Sequence, residues 1–347
     1  MINFCTLFDS NYLTRGLALN NSLANVCPSY HLYVIAFDDN CYHYLKQANL
    51  PNLTPISLKD FEDQQLLAVK PTRSIAEYCW TCTPSTILYC IETFKLPSCT
   101  YIDSDMIFYR DPAILFDEVQ NDSVLITPHR YTSQYDQSAT HGIYCVEFMF
   151  FRNDEQGMIA LRWWRERCIE WCYDHLENGK FGDQKYLDDW TSRFQGVKVL
   201  QHEGGGLAPW NIQQYVLSTV DNRLQVRNLR SGKSFPIVFF HFHGLKFYTD
   251  EMVSCSGSLY ELKQQVKDII YVPYIKELLS LAELLKSRGI GFNVSGARQP
   301  SPSKNATFFQ YLKELSIFIL KGRISPFNLA IYNYKRHYHF YKNQAFH

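Results

Sequence analysis

Strand-like and helix-like segments alternate through the first 250 residues, and this alternation restricts the possible folds more than any other feature of the chain. Residues 2–8 (INFCTLF) and 31–37 (HLYVIAF) are apolar runs of strand length, and residues 12–25 between them have helical spacing. Three later segments continue the pattern, with a helix predicted at residues 78–94 and strands at residues 123–127 and 147–151. This order predicts an α/β protein in which helices flank a mixed, mainly parallel sheet.

Composition narrows the classes of function. The chain has 347 residues, of which 46% are hydrophobic, so it is long enough for one large domain with a smaller appendage. Its 34 basic and 34 acidic residues give a formal net charge of +0, whereas a nucleic-acid-binding protein usually shows a strong positive excess. We therefore expect no nucleic-acid partner.

The first residues carry no secretion signal, and no run of eighteen apolar residues occurs, so a cytoplasmic location is predicted. Eleven cysteines without framework spacing indicate reduced, mostly buried thiols. Cys79 and Cys82 form a lone CxxC pair. Because a structural zinc site needs a second pair of ligands, this pair does not predict one.

Two aspartates, Asp103 and Asp105, follow a hydrophobic run in the segment YIDSDMIFYRDP. An unpaired carboxylate in such surroundings costs on the order of several kcal/mol. Side chains two residues apart on an extended segment point the same way, so both carboxylates could bind one divalent cation, which would offset that cost. The alternative is that the two carboxylates only accept hydrogen bonds within a turn.

Three more stretches accompany this DxD motif: TLFDSNYLTRGLALNNSL near the start, FGDQKYLDDW at residues 181–190, and FFHFHGLKFY at residues 239–248. Together, over roughly residues 1–250, they resemble the GT-A glycosyltransferases, in particular bacterial glycosyltransferase family 8 and related nucleotide-diphospho-sugar transferases. The resemblance implies a Rossmann-like GT-A fold and a metal-dependent transfer of a sugar, from a UDP-sugar or another nucleotide sugar, to a glycan or lipid-linked oligosaccharide. Bacterial surface polysaccharide synthesis is the implied setting.

The resemblance also implies a metal site for Mn²⁺ or Mg²⁺, with Asp103 and Asp105 as ligands. His241 lies three residues before Gly244, as in the HxxG motif of the family, and would be the third ligand. His243 remains the alternative, because side chains two residues apart on a strand point the same way.

Donor binding is implied for residues after the first strand and around the DxD motif: Asp9, Asn11, Tyr12, Asp103, Ser104 and Lys246. Asp9 or Ser10 could instead serve only as the N-cap of the next helix. Lys246 follows Gly244 by two residues, whereas family 8 places its phosphate-binding lysine three residues after the glycine and continues with Pro-Trp. Lys70 and Arg73 could meet phosphates or belong to a solvated loop.

The GDQ sequence places Asp183 and Gln184 where the family contacts the sugar near its reacting carbon, and they are the predicted catalytic residues. Asp183 could also be an N-cap. A retaining enzyme needs no strong base, so Asp183 or Gln184 would stabilise the oxocarbenium-like centre. An inverting enzyme would need a carboxylate base such as Asp183, Asp189 or Glu203. For the acceptor the sequence offers His141, Glu203, Trp210 and Asn211.

The chain changes character after residue 255. We predict a catalytic domain at residues 1–255 and a C-terminal helical extension at residues 256–347, with a Gly/Ser/Pro-rich linker at about residues 287–307. The final segment is basic and aromatic, so it could bind an anionic membrane surface at the inner face of the plasma membrane or pack as a structural helix. Two other functions stay open: a sugar-1-phosphate nucleotidyltransferase, and a non-catalytic sugar- or nucleotide-binding protein.

Overall fold

A computed structural model describes residues 1–221, 223–256, 260–299, 312, 313, 316, 317, 319, 320 and 340–342. Its centre is a seven-stranded sheet in the order β3-β2-β1-β4-β7-β6-β8. The strands of this sheet are β1 Ile2–Phe8, β2 Tyr30–Ala36, β3 Leu53–Ser57, β4 Ser98–Ile102, β6 Val124–Pro128, β7 Tyr144–Arg152 and β8 Val197–Val199. The other strands are β5 Met106–Phe108, β9 Tyr215–Val220, β10 Arg223–Asn228, β11 Ser234–Pro236, β12 Phe239–His241, β13 Lys246–Phe247, β14 Met252–Ser254 and β15 Phe340–Lys342.

Helices surround the sheet. They are α1 Leu13–Val26, α2 Asp39–Ala48, α3 Leu58–Phe61, α4 Gln64–Val69, α5 Ile75–Phe94, α6 Ala113–Phe116, α7 Ser138–His141, α8 Glu155–Glu170, α9 Trp190–Arg193, α10 Gln264–Val266 and α11 Val272–Ser287. Short 3₁₀ turns cover Ser10–Tyr12 and Lys185–Leu187, and a π-helical segment, Lys267–Tyr271, joins α10 to α11. The first helix within the predicted C-terminal extension is therefore α10, which begins at Gln264.

The sheet is mixed because one long strand runs against its neighbours. β1 pairs in parallel with both β2 and β4, and β6 pairs in parallel with β8, whereas β7 is antiparallel to β4 and β6. Parallel strands covered on both faces are expected to be continuously apolar, and β1 is buried from its second residue onward. The predicted mainly parallel α/β sheet is confirmed.

Two hydrophobic clusters lie on opposite faces of this sheet. One contains the buried side chains of α5 and α8, and the other contains those of α1 and α2. The start of α5 is fixed by a capping box, in which the Ser74 side chain accepts from the Glu77 N–H and Glu77 accepts from the Ser74 N–H. A third cluster joins α11 to β12, so the helix after residue 255 shares a core with the strand that carries His241.

Beyond α11 the chain turns back toward α1. Val294 accepts a hydrogen bond from the Thr14 N–H at 3.1 Å, and the Arg298 N–H donates to Phe247 at 3.0 Å. The backbone of β15 pairs with β14. Residues 300–307 of the predicted linker and most of the basic, aromatic final segment lie outside the described residues. Among the helices that the structure describes, none is both long and apolar enough to cross a membrane.

All eleven cysteines have free thiols, and ten of them are buried. This agrees with the prediction of reduced core thiols. Cys79 and Cys82 both belong to α5, where neither joins a metal-binding group among the residues that the structure describes.

Candidate active site

A cavity of about 760 Å³ opens beyond the carboxyl ends of β1 and β4. In α/β sheets this edge is the usual position for a ligand. Its wall includes residues that follow β1, the turn between β4 and β5, the start of α5, the GDQ segment, the end of β12, and residues 293–298. The motifs named from the sequence therefore meet in one place, although the first contributes Asp9 and the last contributes Lys246.

The DxD motif lies in the turn between β4 and β5, and β5 pairs with β12. β4 ends at Ile102, and β5 begins at Met106, which pairs directly with His241 of β12. This register puts the imidazole beside the aspartates. Its Nε2 atom lies 3.1 Å from Oδ1 of Asp105 and 3.6 Å from Oδ2 of Asp103. The convergence of Asp103 and Asp105 thus depends on the turn and on β12 as much as on their spacing.

Glu147 contacts His241 on the side of the ring away from the aspartates. It was not among the site residues predicted from the sequence. Its side chain is fully buried in β7, and its Oε2 lies 2.7 Å from Nδ1 of His241. Because an ionised carboxylate only accepts, Nδ1 carries a proton and Nε2 faces the aspartates. A carboxylate that orients a metal-binding histidine in this way is a frequent partner in metal sites.

The protonation states of Asp103, Asp105 and His241 depend on one another. Burial opposes ionisation of both aspartates, and for Asp103 it raises the pKa to about 6. For Asp105 burial is outweighed by the charge and the hydrogen bond of His241, which lower the pKa to about 2. Burial also disfavours the imidazolium, but the Asp105 charge outweighs it and raises the pKa of His241 well above its ordinary value. A proton on His241 therefore balances the acidic cluster in the absence of a cation.

These three groups form a set that fits a divalent cation. One ligand atom from each of Asp103, Asp105 and His241 lies within 4.8 Å of the others. Two carboxylate oxygens with one imidazole nitrogen suit Mn²⁺ better than Mg²⁺, which prefers oxygen ligands. Occupation by a cation would require His241 to release its Nε2 proton.

His243, the alternative ligand, also lines the cavity but is not part of this cluster. β12 ends at His241, so the two imidazoles do not share one strand face. Their ring planes are 81° apart, and the side chain of His243 is exposed. The geometry therefore favours His241.

Donor residues predicted after β1 all line the cavity: Asp9, Asn11 and Tyr12. Asp9 stands at the N-cap position of the 3₁₀ turn, but its side chain makes no capping hydrogen bond. Instead the Nδ2 of Asn11 donates to it at 3.0 Å, and Asp38 accepts from the Ser10 N–H. The capping alternative for Asp9 was wrong, and its carboxylate remains available at the cavity.

Asp183 and Gln184 line the cavity behind Gly182. Gly182 has φ +52°, a left-handed conformation that favours glycine, and so the turn is specified by its sequence. The side chain of Asp183 is buried, and burial together with the charge of Asp103 raises its pKa to about 7. The helical turn that follows starts at Lys185 with Gln184 as N-cap and no side-chain capping bond, so the alternative of an Asp183 N-cap was wrong.

The predicted acceptor residues separate into two pairs. His141 and Trp210 line the cavity, whereas Glu203 and Asn211 do not. Glu203 accepts from Tyr215 and Asn228, and buried Asn211 donates to the carbonyls of His129 and Gly206. Glu203 before the three glycines and Asn211 after them are therefore engaged in bonds within the protein rather than facing a ligand.

The remaining candidates for contacts with the donor phosphates differ in position. Ser104 and Lys246 line the cavity, whereas Lys70 and Arg73 do not. Lys70 forms an ion pair with Glu62 at 2.6 Å, and the Arg73 guanidinium lies 3.8 Å from the ring centre of Tyr173. The interpretation of Lys70 and Arg73 as phosphate ligands is therefore not supported.

No protein-family profile matches the sequence. Two Bacillus subtilis (strain 168) proteins, both described as uncharacterised, do match along most of their length. YfnD is 30% identical over 284 residues, which are 80% of this chain and 88% of YfnD. YfnF is 32% identical over 251 residues, which are 70% of this chain and 81% of YfnF.

A solved structure gives the likeness of fold. The galactosyltransferase LgtC, in complex with donor and acceptor sugar analogues, matches with a TM-score of 0.50 at 13% sequence identity. The match covers 83% of this chain and all of LgtC. The chain thus belongs to the family of YfnD and YfnF, and it has the GT-A fold predicted from its motifs.

Proposed function

We propose that this protein is a metal-dependent glycosyltransferase that moves a sugar from a nucleotide-diphosphate sugar to a hydroxyl of a glycan. A UDP-sugar is the first donor to test. One observation carries the proposal: the cluster of Asp103, Asp105 and His241 lies in the same cavity as Asp183 and Gln184. A cation site beside polar groups that can contact a sugar is the arrangement that this reaction needs. The fold alone would not carry the proposal, since one fold hosts many activities.

The residues of the chain divide the task. Asp103, Asp105 and His241 would hold Mn²⁺, which on binding would stabilise the negative charge on the departing nucleoside diphosphate. Glu147 keeps the imidazole oriented with Nε2 toward the aspartates. Asp9, Asn11 and Tyr12 stand at the opening of the cavity after β1 and would bind the nucleoside. Ser104, buried between the two aspartates, would contact the donor beside the metal.

Asp183 and Gln184 would face the anomeric carbon. We propose transfer with retention of configuration, in which the Asp183 carboxylate stabilises the positive charge that develops there. The other carboxylates considered as bases lie elsewhere: Asp189 pairs with Arg193 at the protein surface, and Glu203 is bonded outside the cavity. NMR of the anomeric proton in the product distinguishes retention from inversion.

A lipid-linked oligosaccharide is the acceptor proposed from the sequence, with His141 and Trp210 on the acceptor side of the cavity. Attachment of the basic C-terminal segment to an anionic membrane stays a prediction from sequence. Co-sedimentation with anionic and neutral vesicles, at low and high salt, measures it directly. Binding that is indifferent to salt and to anionic lipid would contradict it.

The decisive experiment is a screen of nucleotide sugars for Mn²⁺-dependent hydrolysis without acceptor, with a chelator as control. Release of nucleoside diphosphate and free sugar supports the proposal. Formation of nucleoside triphosphate from added pyrophosphate would indicate a nucleotidyltransferase instead. Tight binding of a nucleotide sugar without turnover, also after addition of glycan acceptors, would indicate a non-catalytic protein.

A further inference from the structure

Arg15 is a buried arginine at the cavity. It belongs to α1, is 2% exposed, and lines the cavity wall. Its Nη1 donates to the carbonyl of Ser295 at 2.9 Å and its Nη2 to the carbonyl of Leu245 at 3.1 Å. Its Nε atom has no hydrogen-bond partner. Within the described part of the chain, Arg15 forms no salt bridge with a carboxylate.

This arrangement holds a positive charge inside the protein without a direct ion-pair partner, and the nearby charge of Asp105 acts on it only from beyond salt-bridge distance. A guanidinium cannot lose its proton at any ordinary pH, so burial cannot neutralise it. Two neutral carbonyls satisfy part of its hydrogen-bonding capacity but not its charge. A buried charge without a partner is costly, and such groups are usually paired with an ion of opposite sign. An anion that enters the cavity would therefore supply the direct ion-pair partner that Arg15 does not have among the described residues.

The aromatic surroundings fix the plane of the guanidinium. Its central carbon lies 4.4 Å from the ring centre of Tyr12 and 5.6 Å from that of Phe247. With two carbonyls and two rings holding it, the group cannot swing into solvent without losing four contacts. A fixed, planar fork of this kind suits phosphate oxygens better than a flexible ammonium does.

Phe247 also explains why an arginine is needed here. It occupies the position three residues after Gly244, where the family that the sequence resembles places its phosphate-binding lysine, and its ring is buried. Lys246 and Arg298 line the same cavity, so Arg15 is one of three basic residues in its wall. Asp103 and Asp105 line that cavity as well, so a metal-bound diphosphate would meet cationic groups on both of its sides.

We propose that Arg15 binds the diphosphate of the donor and replaces the lysine that Phe247 displaces. This inference rests on the proposed function. In the transfer, the bond between the anomeric carbon and the diphosphate oxygen breaks, and the electron pair leaves with the diphosphate. The acceptor oxygen forms the new bond to carbon, and its proton passes to a diphosphate oxygen or to water. Arg15 stabilises the charge that the leaving group gains.

A merely structural role for Arg15 is the competing explanation, because the side chain also ties α1 to residues 245 and 295. The two explanations differ in their dependence on phosphate. Loss of a structural tie would weaken binding of every nucleotide alike. Loss of a diphosphate ligand would weaken binding of a nucleoside diphosphate far more than that of the monophosphate with the same base.

The test is calorimetric titration of the full chain, with Mn²⁺ present, using UDP and UMP and then GDP and GMP. For the pair that binds, Arg15→Met should weaken diphosphate binding roughly tenfold or more and monophosphate binding less than about threefold. Arg73→Met is the matched control. Arg73 likewise stacks on a ring and donates to a carbonyl, that of Ile169, but lies outside the cavity, so this variant should bind like the wild type.

Arg15→Gln decides the matter if Arg15→Met does not fold, because its amide can still donate to a carbonyl while the charge is lost. Unchanged diphosphate binding in either folded variant, or an equal loss for diphosphate and monophosphate, overturns the role of Arg15. Failure of the wild type to bind any of the four nucleotides instead overturns the proposed function. The two failures are therefore distinguishable.

Discussion

Two buried histidines, His241 and His129, pack against the same tryptophan and have opposite electrostatic character. Both rings meet Trp210 edge to face, with ring centres 5.4 Å and 5.3 Å away. They are 4% and 3% exposed. Burial disfavours the charged form of each, yet the pKa of His241 is raised and that of His129 is lowered, the latter by burial and by the charges of His141 and His243.

The difference comes from carboxylates. His241 has Asp103, Asp105 and Glu147 within 4.0 Å, whereas His129 stacks on Tyr131 at 4.5 Å and its Nδ1 has no partner. Burial alone therefore does not identify a metal ligand in this cavity. The carboxylates give one side of Trp210 the capacity to bind a cation, and the aromatic rings make the other side neutral.

Removal of a metal ligand is the largest change expected from this comparison. Asp103→Ala or Asp105→Ala should lower Mn²⁺ affinity by about a hundredfold or more and abolish metal-dependent donor hydrolysis. Electron paramagnetic resonance of free Mn²⁺ gives the affinity, and circular dichroism checks the fold. A well-folded variant with unchanged turnover would contradict the metal site.

Replacement of each histidine by alanine tests this comparison directly. His241→Ala should weaken Mn²⁺ binding by roughly thirtyfold, because it removes one of the three proposed ligands, whereas His243→Ala and His129→Ala should each change it by less than about threefold. The same titration measures all three. A greater loss in His243→Ala than in His241→Ala would assign the ligand to His243.

Glu147→Gln should have a smaller effect on the metal. The amide can still contact Nδ1 of His241, but it lacks the charge that orients the ring, so Mn²⁺ affinity should fall by roughly tenfold. Glu147 is buried and touches no solvent, so its substitution by an isosteric amide is a clean test. Unchanged affinity would restrict Glu147 to a structural role.

The smallest effect expected is on stability. Asp183 has a pKa of about 7 in the folded protein against an ordinary value of 3.8, so the folded state holds its proton more tightly than the unfolded chain does. The stability gained from this proton is present below 3.8 and is lost as pH rises through 7. Asp183→Asn should therefore melt about 2–4 °C above the wild type at pH 8, with little difference at pH 4. Thermal unfolding without added metal at both pH values measures it, and an equal difference at both would contradict it.

The sequence predicted the sheet and the convergence of its motifs because both follow from local information. Apolar periodicity marks the strands, and the carboxyl ends of parallel strands meet at one edge. Asp103 and Asp105 follow such a strand and were found in this way, whereas Asp183 was predicted only from the GDQ sequence, which resembles a motif of the family. A mixed sheet was also predicted, but the residues of β7 alone do not show that this strand runs antiparallel to β4 and β6.

What the sequence could not predict depends on distant pairing. The choice between His241 and His243 required the register of β12 with β5, and the role of Glu147 required a partner 94 residues away. Glu203 and Asn211 looked like ligands because buried structural polar residues and ligand-binding ones have the same composition. Arg15 lies inside an apolar helical pattern, where a single arginine is ordinarily an exposed surface residue.

Residues 293–298 pack against α1 and complete the wall of the cavity, so the cavity can form only late in synthesis of the chain. Thr14 bonds to Val294 across 280 positions, and a side chain at Gly296 would meet the Asn11 carbonyl at 3.0 Å. Contacts of such high sequence separation form slowly and only after both segments exist. A nascent chain that ends before residue 298 would carry Asp103, Asp105 and His241 but an open cavity wall. Under the proposed function, the donor site would thus be complete only after residues 293–298 have been synthesised and have packed against α1.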